Sequence, residues 1–401
     1  MKINKKLIKN YLTIRYDPLI NSTSLAKWTN FVSNTSDTNG QLTEKFLGNS
    51  ISNSIPNDDS TISISLSSGI DSSLCLAILR KTFPKRKIIA FCGIFDTGFD
   101  ESKEAKIIAD DFSAEFKTVN MDSIFTNMPE IISITKRPRW NTYNHLIAKE
   151  AKKKSNYLVT GDGADELFGG YVFRYNKFKQ LLISKDKWLD KTKKYLECHN
   201  RDWVFDQTSI FHKNTKFSWS EIYNYFKPYF QNSLDPLSQV MLADFNGKLL
   251  FDFIPTGKSI SNYYNIKSIP IFLESDLVNF ALKLPLNQKY NKKTVTGKLI
   301  LRKIAKRLDV NHIEEKKGFS PSLYLDWQKN GKTIAESFLL NKKSQIYKKN
   351  IINYDWVVNA FEKVEFDGDI RYLNRLISIL ALEIWIKIFI THELKSNSKL
   401  S

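Results

Sequence analysis

Strands and helices alternate over residues 61–161, and this alternation is the feature that most constrains the fold of the chain. Strands separated by helices of this length are expected to lie parallel in one sheet, because right-handed crossovers join them. The expected fold class is therefore α/β with a doubly wound parallel sheet. The strands are predicted at 62–66, 87–95, 116–121 and 156–161, and the helices at 72–82, at 101–112 and up to residue 153.

Two polar segments follow the first and the fourth predicted strands. The first is rich in serine, and the second is rich in glycine and carboxylates. They read LSSGIDSS (66–73) and GDGADELFGGY (161–171). Ligands bind at the carboxyl ends of the strands in parallel sheets of this kind, so both segments are expected to face one site. Glycine lets the backbone approach a ligand closely, and hydroxyls and amides at a helix start donate to an anion. The sequence therefore predicts an anion-binding site between the two segments.

The chain is helical and aromatic from about residue 185 onward, which predicts a helical C-terminal half packed on the sheet. Residues 34–60 are rich in Ser, Asn, Asp and Gly and are predicted to be a loop or linker after a short extension of 33 residues. The predicted organisation is an extension and linker at 1–57, a main domain at 58–395 and a tail at 396–401. Helices are predicted in the second half at 236–252, 274–283, 296–307 and 371–394.

The composition narrows the class of protein. The formal net charge is +18, but lysines are spread along the chain, which favours a solvated basic surface over a nucleic-acid site. Three cysteines and five histidines without metal-ligand spacing predict neither a zinc site nor a disulfide framework. Glu383 and Lys387 interrupt the longest apolar stretch, which favours a buried helix over a membrane span. With no recognisable secretion signal, the protein is expected to be soluble and cytoplasmic.

The two polar segments carry a resemblance to a known family. LSSGIDSS resembles the SGGxDS pyrophosphate loop (PP-loop) of ATP pyrophosphatases, and TGDGADELFGGY (160–171) is similar to the SGEGADELFGGY signature of the asparagine synthetase family. The similarity covers roughly residues 58–395 and implies the five-stranded PP-loop fold, which is like that of the adenine-nucleotide α-hydrolases. Further matching stretches are FDESKEAKIIADDF (99–112), GKLILRKIA (297–305), EKKGFS (315–320) and LALEIWIKIF (380–389).

The resemblance implies an activity, its cofactors and the residues that carry it. The synthetase domain of this family joins AMP to a carboxylate with loss of pyrophosphate, and a nitrogen nucleophile then displaces AMP to give an amide. ATP and Mg²⁺ are the implied cofactors, with Asp71 and Asp165 as metal ligands. Asp71, Asp162, Asp165 and Lys316 are the implied catalytic residues, Lys316 as the phosphate-contacting lysine of the adenylation step. The implied nucleotide-binding residues are Leu66, Ser67, Ser68, Gly69, Ile70, Asp71, Ser72, Ser73, Thr160, Gly161 and Asp162.

Several positions depart from the family pattern. The first loop has Ser68 in place of glycine, Asp162 stands in place of glutamate, and KSIPIFLE (267–274) replaces ExRxPFLD. The chain begins Met1-Lys2, and about 57 residues precede the synthetase-like region, so no glutaminase domain is expected. Nitrogen is then expected from free ammonia, an amine or a separate ammonia-supplying partner.

The stretch RPRWNTYNH (137–145) is expected to feed the acceptor pocket. Its charged and aromatic side chains, together with the departures from the family pattern, put aspartate in doubt as the substrate. They suit a larger or more acidic carboxylate, such as a peptide, a sugar acid or a nucleic acid. The side chains in question are Arg137, Arg139, Trp140, Tyr143 and His145.

Two interpretations from different classes follow, and a third is less favoured. The first is an ATP-dependent amide-forming ligase acting on a carboxylate-bearing small molecule or peptide. The second is an RNA-modifying PP-loop enzyme that applies the same adenylation chemistry to a nucleic acid such as tRNA, bound by the basic surface. A salt-dependent shift of tRNA mobility would distinguish the second. The third, a degenerate partner protein without catalysis, is disfavoured because the loop residues are intact. No membrane partner is expected.

Overall fold

A five-stranded sheet lies at the centre of the structure, a computed structural model that describes residues 3–19, 25–96, 98, 100–199, 204–310 and 322–401. The strand order is β3-β2-β1-β4-β5 and all pairings are parallel. This confirms the predicted parallel α/β sheet and the five strands that the resemblance implies; only the position of the fifth strand, at an edge, was left unassigned from the sequence. The strands are β1 Ile62–Ser65, β2 Ile88–Phe95, β3 Glu115–Met121, β4 Tyr157–Thr160 and β5 Lys267–Pro270.

Strand β1 occupies the middle of the sheet because its side chains are apolar or small on both faces. Ile62, Ser63 and Ile64 are all fully buried, as expected for a central parallel strand covered by helices on both sides. Ile64 pairs with Ala90 of β2 and with Val159 of β4. The connections that follow β1 and β4 therefore run toward opposite edges of the sheet. The gap between these two neighbouring strands is the switch point where parallel sheets bind ligands.

Helices surround the sheet and fill the second half of the chain, which confirms the predicted helical C-terminal half. In the first half they are α1 Lys5–Ile14, α2 Gln41–Ser54, α3 Ile70–Thr82, α4 Ser102–Asp111, α5 Met128–Thr135, α6 His145–Lys152, α7 Ala164–Phe168, α8 Val172–Leu181 and α9 Trp188–Glu197. In the second half they are α10 Trp219–Phe230, α11 Pro236–Asp244, α12 Ile254–Tyr264, α13 Ser275–Leu282, α14 Leu286–Lys289, α15 Leu299–Arg307, α16 Leu323–Asp326, α17 Lys332–Leu339, α18 Gln345–Lys348, α19 Tyr354–Asp367 and α20 Ile370–Phe389.

The prediction of a loop or linker over residues 34–60 is wrong for its central part. Residues 41–54 form α2, in which Leu47 and Ile51 are fully buried, and Ile55 beyond its end is buried as well. These apolar residues recur every four positions, and that helical spacing outweighs the polar composition between them. The preceding extension is also built into the core, because Ile8 and Leu12 of α1 pack in the cluster that surrounds α20. The boundary at residue 57 stays a prediction.

The helix predicted at 236–252 is longer and less regular than expected. It runs as α11, then as a π-helical segment at Phe245–Phe253, and continues as α12 to Tyr264. The TGKS stretch at 256–259 lies inside α12 and therefore forms no phosphate loop. The predicted helix at 296–307 begins only at Leu299, because Thr296–Gly297 (β7) pairs with Tyr290–Asn291 (β6) in a two-stranded antiparallel ladder.

The long apolar helix α20 is buried in the protein core. Its Glu383 is fully buried and accepts hydrogen bonds from the backbone N–H groups of Gln345 and Ile346, each at 2.9 Å. The Nζ of Lys387 lies 3.8 Å from the same carboxylate, so the two charged residues that interrupt the apolar stretch pair with each other inside the fold. Within the described residues, no helix has the length and apolar character needed to cross a membrane.

Candidate functional site

The segments that follow β1 and β4 lie side by side and line one cleft. Because β1 and β4 are neighbours in the sheet, their carboxyl ends deliver both loops to the same edge. The contact is close: a Cβ atom added to Gly161 would lie 3.1 Å from Cβ of Asp71. The prediction that the two segments face a common site is confirmed. Of the sequence-predicted residues, those lining the cleft are Leu66, Ser67, Ser68, Gly69, Asp71, Ser72, Thr160, Gly161, Asp162 and Asp165.

Hydrogen bonds within the serine-rich loop hold it in one shape. The Oγ atoms of Ser67 and Ser72 lie 2.8 Å apart, and the backbone N–H of Ser67 donates to Oγ of Ser72 at 3.0 Å. The hydroxyl of Ser73 donates to the carbonyl of Gly69 at 2.9 Å, so its side chain stabilises the turn that leads into α3. Ile70 packs in the hydrophobic core instead of lining the cleft. The loop thus presents its backbone and the start of α3 to the cleft in a preformed arrangement.

Glu101 closes one side of this loop and was not singled out from the sequence. Its Oε2 accepts hydrogen bonds from both the backbone N–H and the hydroxyl of Ser68, at 2.9 and 2.7 Å. Glu101 directly precedes α4, in the connection that follows β2, and its side chain lines the cleft. The sequence did contain a signal for Glu101: a carboxylate that follows β2, the strand next to β1, is expected at the same ligand-binding edge of the sheet.

Two sequence-predicted carboxylates meet at one ammonium group. The Nζ of Lys298 lies 2.6 Å from Oδ2 of Asp71 and 2.6 Å from Oδ1 of Asp165. The lysine is 5% exposed, so its charge is compensated by these carboxylates inside the protein. Its backbone is left-handed, with φ 57° and ψ 36°, which is costly for a residue with a side chain and is typical of functional sites. Lys298 belongs to the family-like stretch 297–305 but was not among the predicted site residues; the signal for it is a lysine just before a helix, where the helix dipole disfavours a positive charge.

The remaining carboxylates of the second segment lie in contrasting surroundings. Asp162 is exposed at the rim, where its Oδ2 accepts from the hydroxyl of Thr160 at 2.9 Å. Glu166 is buried and accepts from the hydroxyl of Tyr171 at 2.5 Å. Burial, with the nearby charge of Asp165, raises the pKa of Glu166 to about 7. The second segment therefore supplies one solvated carboxylate and one buried carboxyl group to the same cleft.

The charged and aromatic side chains of the 137–145 stretch, which were expected to feed the acceptor pocket, do not line the cleft. Arg139 forms a buried ion pair with Asp252, and the indole of Trp140 donates to the hydroxyl of Ser378 at 3.1 Å. His145 Nδ1 lies 2.9 Å from the Tyr264 hydroxyl, and burial lowers the pKa of His145 to about 4.

Arg137 and Tyr143 likewise lie outside the cleft lining. Arg137 reaches the carbonyl of Phe251, and Tyr143 packs edge-on against Phe95. Of the nine residues in this stretch, all of them described, Asn144 alone lines the cleft. A buried charge requires a partner, and the partner of Arg139 lies in the π-helical segment. The stretch thus holds that segment against the sheet. Lys316, the predicted phosphate-contacting lysine, lies outside the described residues.

The paired carboxylates suit a Mg²⁺ ion. Asp71 and Asp165 converge on one point and offer hard oxygen ligands, and Mg²⁺ is commonly bound by one or two carboxylates together with water and phosphate oxygens. No group of three or more His, Cys, Asp or Glu side chains in the described part of the chain is arranged to hold a metal. The donor set therefore fits an ion that is completed by a phosphate ligand, and does not fit a structural zinc site.

A parallel sheet with a serine-rich loop after β1 and an acidic, glycine-rich loop after β4 defines a PP-loop α/β protein. The sequence profile of the asparagine synthase family matches residues 43–387, and the chain belongs to this family.

Individual relatives match at modest sequence identity and over only part of their length. The chain is 26% identical over 299 residues to asparagine synthetase [glutamine-hydrolyzing] 1 of Bacillus subtilis, covering 66% of this chain and 47% of that protein. It is 33% identical over 120 residues to a putative asparagine synthetase [glutamine-hydrolyzing] of Mycobacterium bovis, covering 28% of this chain and 18% of that protein. The chain thus spans about half the length, or less, of these relatives.

Solved structures give only a distant likeness. NMN synthetase from Francisella tularensis aligns with a TM-score of 0.24 and 16% identity, over 57% of this chain and 92% of that one. The U34-tRNA thiolase NcsA from Methanococcus maripaludis aligns with a TM-score of 0.26 and 15% identity, over 56% of this chain and 80% of that one. At such TM-scores neither likeness carries an argument about function.

The crowding around Asp165 and Lys298 gives a prediction for Gly170. A Cβ atom at position 170 would overlap Oδ1 of Asp165 and Cε of Lys298, so Gly170→Ala should lower the free energy of unfolding by about 1–3 kcal/mol. Gly48→Ala is the matched control, because Gly48 lies within α2 and nothing stands within 4 Å of its added Cβ. It should raise the free energy of unfolding by about 0.5–1 kcal/mol. Urea denaturation measures both, and equal effects would contradict the close packing inferred for the site.

Proposed function

We propose that this protein is an ATP-dependent amide-forming ligase that adenylates a carboxylic acid and then transfers the acyl group to ammonia or an amine. The observation that carries the proposal is the meeting of Asp71, Asp165 and Lys298 in the cleft between the two motif loops. Membership of the asparagine synthase family supports the reaction class. In the first step a carboxylate oxygen bonds to the α-phosphorus of ATP, and the bond from that phosphorus to the oxygen shared with the β-phosphate breaks, so pyrophosphate leaves with the electron pair. In the second step the nitrogen lone pair bonds to the acyl carbon, AMP leaves with the electron pair of the carbon–oxygen bond, and the nitrogen loses a proton to give the amide.

Stabilisation of the leaving pyrophosphate is the main demand of the first step, because negative charge builds on it as the bond breaks. The N–H groups of Ser67, Ser68 and Gly69 donate to side-chain oxygens of the site, so the N-terminus of the 13-residue helix α3 is what the loop offers to that charge. The internal hydrogen bonds of the loop fix its shape and the start of α3 before the ligand arrives, so little reorganisation is needed during the reaction.

Asp71 and Asp165 would hold a Mg²⁺ ion, which supplies electrostatic stabilisation of phosphate oxygens when bound. Lys298 adds a positive charge beside the same carboxylates, and its ion pairs with both of them hold the ammonium in place. Lys316 is proposed to contact the phosphates, and Asp162 to act at the rim beside the acyl group. Leu66 with Thr160 and Gly161 is proposed to border the adenine ring.

The proposal is tested by the products of ATP turnover. The purified protein is incubated with ATP, Mg²⁺ and a panel of carboxylic acids, with and without ammonium, and ATP–pyrophosphate exchange and nucleotide products are followed. Exchange that depends on one acid, and AMP as the nucleotide product, are expected. ADP as the product, or no exchange with any acid, would overturn the proposal. AMP release that requires added tRNA would favour a nucleic-acid acceptor instead.

A further inference from the structure

A second cavity opens from the cleft between α12 and β5. We call it the acceptor groove and define it by the residues that line it along 253–273, together with Asp162. It shares wall residues with the first cleft, including Asp162, Gly257 and Ser268. The two cavities are therefore adjacent, and the rim carboxylate of Asp162 belongs to the walls of both.

The walls of the acceptor groove favour an anion. They carry the lysines Lys258 and Lys267 and the amides of Asn262 and Asn265, against the single carboxylate of Asp162 at the inner end. The lysines lie on different elements, α12 and β5, so the positive charge borders the groove from two sides. A negatively charged ligand gains from this surrounding field, whereas an ammonium group would be repelled.

Lys258 is positioned to bind such a ligand. Ile254, Lys258 and Asn262 are spaced four residues apart, so they share one face of α12, and all three are exposed. The opposite face is buried through Thr256 and Ile260.

The two lysines differ in what their ammonium groups contact. No hydrogen bond or ion pair joins the Lys258 ammonium to any other residue of the described part of the chain. The Lys267 ammonium already donates to the carbonyl of Ser54 at 2.7 Å. Lys258 is therefore the better placed of the two to pair with a bound anion.

We propose that the acceptor groove binds the acid substrate, with its reacting carboxyl group directed to the adjoining cleft and a second anionic group paired with Lys258. The inference rests on the proposed function and names its substrate class: an acid with at least two negative charges. A monocarboxylic acid would leave Lys258 without a partner. A zwitterionic amino acid would place its ammonium group against a wall that carries two lysines.

The test compares straight-chain dicarboxylic acids of four to eight carbons with monocarboxylic acids of the same lengths, as substrates for ATP–pyrophosphate exchange. At least one dicarboxylate is expected to support exchange about fivefold or more above its monocarboxylate counterpart, the scale of one solvated ion pair. Lys258→Met should raise the KM for that dicarboxylate by a similar factor and leave kcat and the KM for ATP within twofold. Lys258→Arg should keep the preference.

Lys149→Met is the matched control, since Lys149 is exposed on α6, a helix that lines the cleft through other residues, and does not line the groove. It should leave the preference unchanged. Equal exchange with both series, no exchange with the dicarboxylates, or an unchanged preference in Lys258→Met would each overturn the inference. Exchange with monocarboxylates alone would still support an adenylating ligase, whereas no exchange with any acid would remove the proposed function itself.

Discussion

Asp71→Asn is expected to reduce ATP–pyrophosphate exchange by about two to three orders of magnitude, the scale of losing a group that stabilises transition-state charge. The substitution preserves the shape of the side chain but removes the negative charge that lies 2.6 Å from the Lys298 ammonium. A neutral amide is also a weaker Mg²⁺ ligand than a carboxylate. The exchange rate measured at saturating ATP and Mg²⁺ gives the effect.

Asp110→Asn is the control for this substitution. Asp110 lies exposed on α4 and pairs across one helical turn with Lys106, so its loss should leave exchange within twofold of the unaltered protein. A near-normal rate in Asp71→Asn, with circular dichroism unchanged, would remove Asp71 from the catalytic site.

Lys298→Met is expected to lower the free energy of unfolding by about 3–5 kcal/mol in the presence of EDTA, the cost of removing one partner from a buried ion pair. Without the ammonium, the largely buried carboxylates of Asp71 and Asp165 face each other unneutralised. Mg²⁺ should restore most of this loss, since a divalent cation bound by the folded state stabilises it. The gain in Tm on adding Mg²⁺ should therefore be larger in the variant than in the unaltered protein.

Lys292→Met provides the comparison on the surface. Lys292 pairs with Asp235 at 2.8 Å, and both side chains are at least 40% exposed, so the loss should stay below about 1 kcal/mol and be independent of Mg²⁺. If Lys298→Met were as mild as Lys292→Met in EDTA, the ammonium would not be what neutralises the two carboxylates.

The sheet and the two motif loops were predictable because their signals are local. Ile62 and Ile64 alternate with serine in a short run, and the loop LSSGIDSS follows at once, so strand and loop can be assigned from neighbouring residues alone. The topology rule then placed Asp71 and Asp165 at one edge of the sheet, and the structure brings both to Lys298.

The features missed by the sequence analysis depend on contacts between distant residues. Arg139 was expected in a pocket, but Asp252, 113 positions away, pairs with it in the core. Leu47 and Ile51 make α2 a helix because they are buried in the main hydrophobic core, which the polar composition of 34–60 concealed. The position of Lys298 just before a helix was visible in the sequence, but its pairing with carboxylates from two other segments is shown only by the fold.

The separation of Lys298 from Asp71 by 227 positions has a consequence for the newly made chain. At about 5–20 residues per second, a ribosome needs roughly 10–45 s to add the lysine after the aspartate has been made. From the synthesis of Asp165 onward, both carboxylates exist without their cation until Lys298 is added, and the loops that border the cleft lack one of the residues that join them. A ligand that requires all three charges cannot promote folding during this stage of translation, so the growing chain must reach residue 298 without its help.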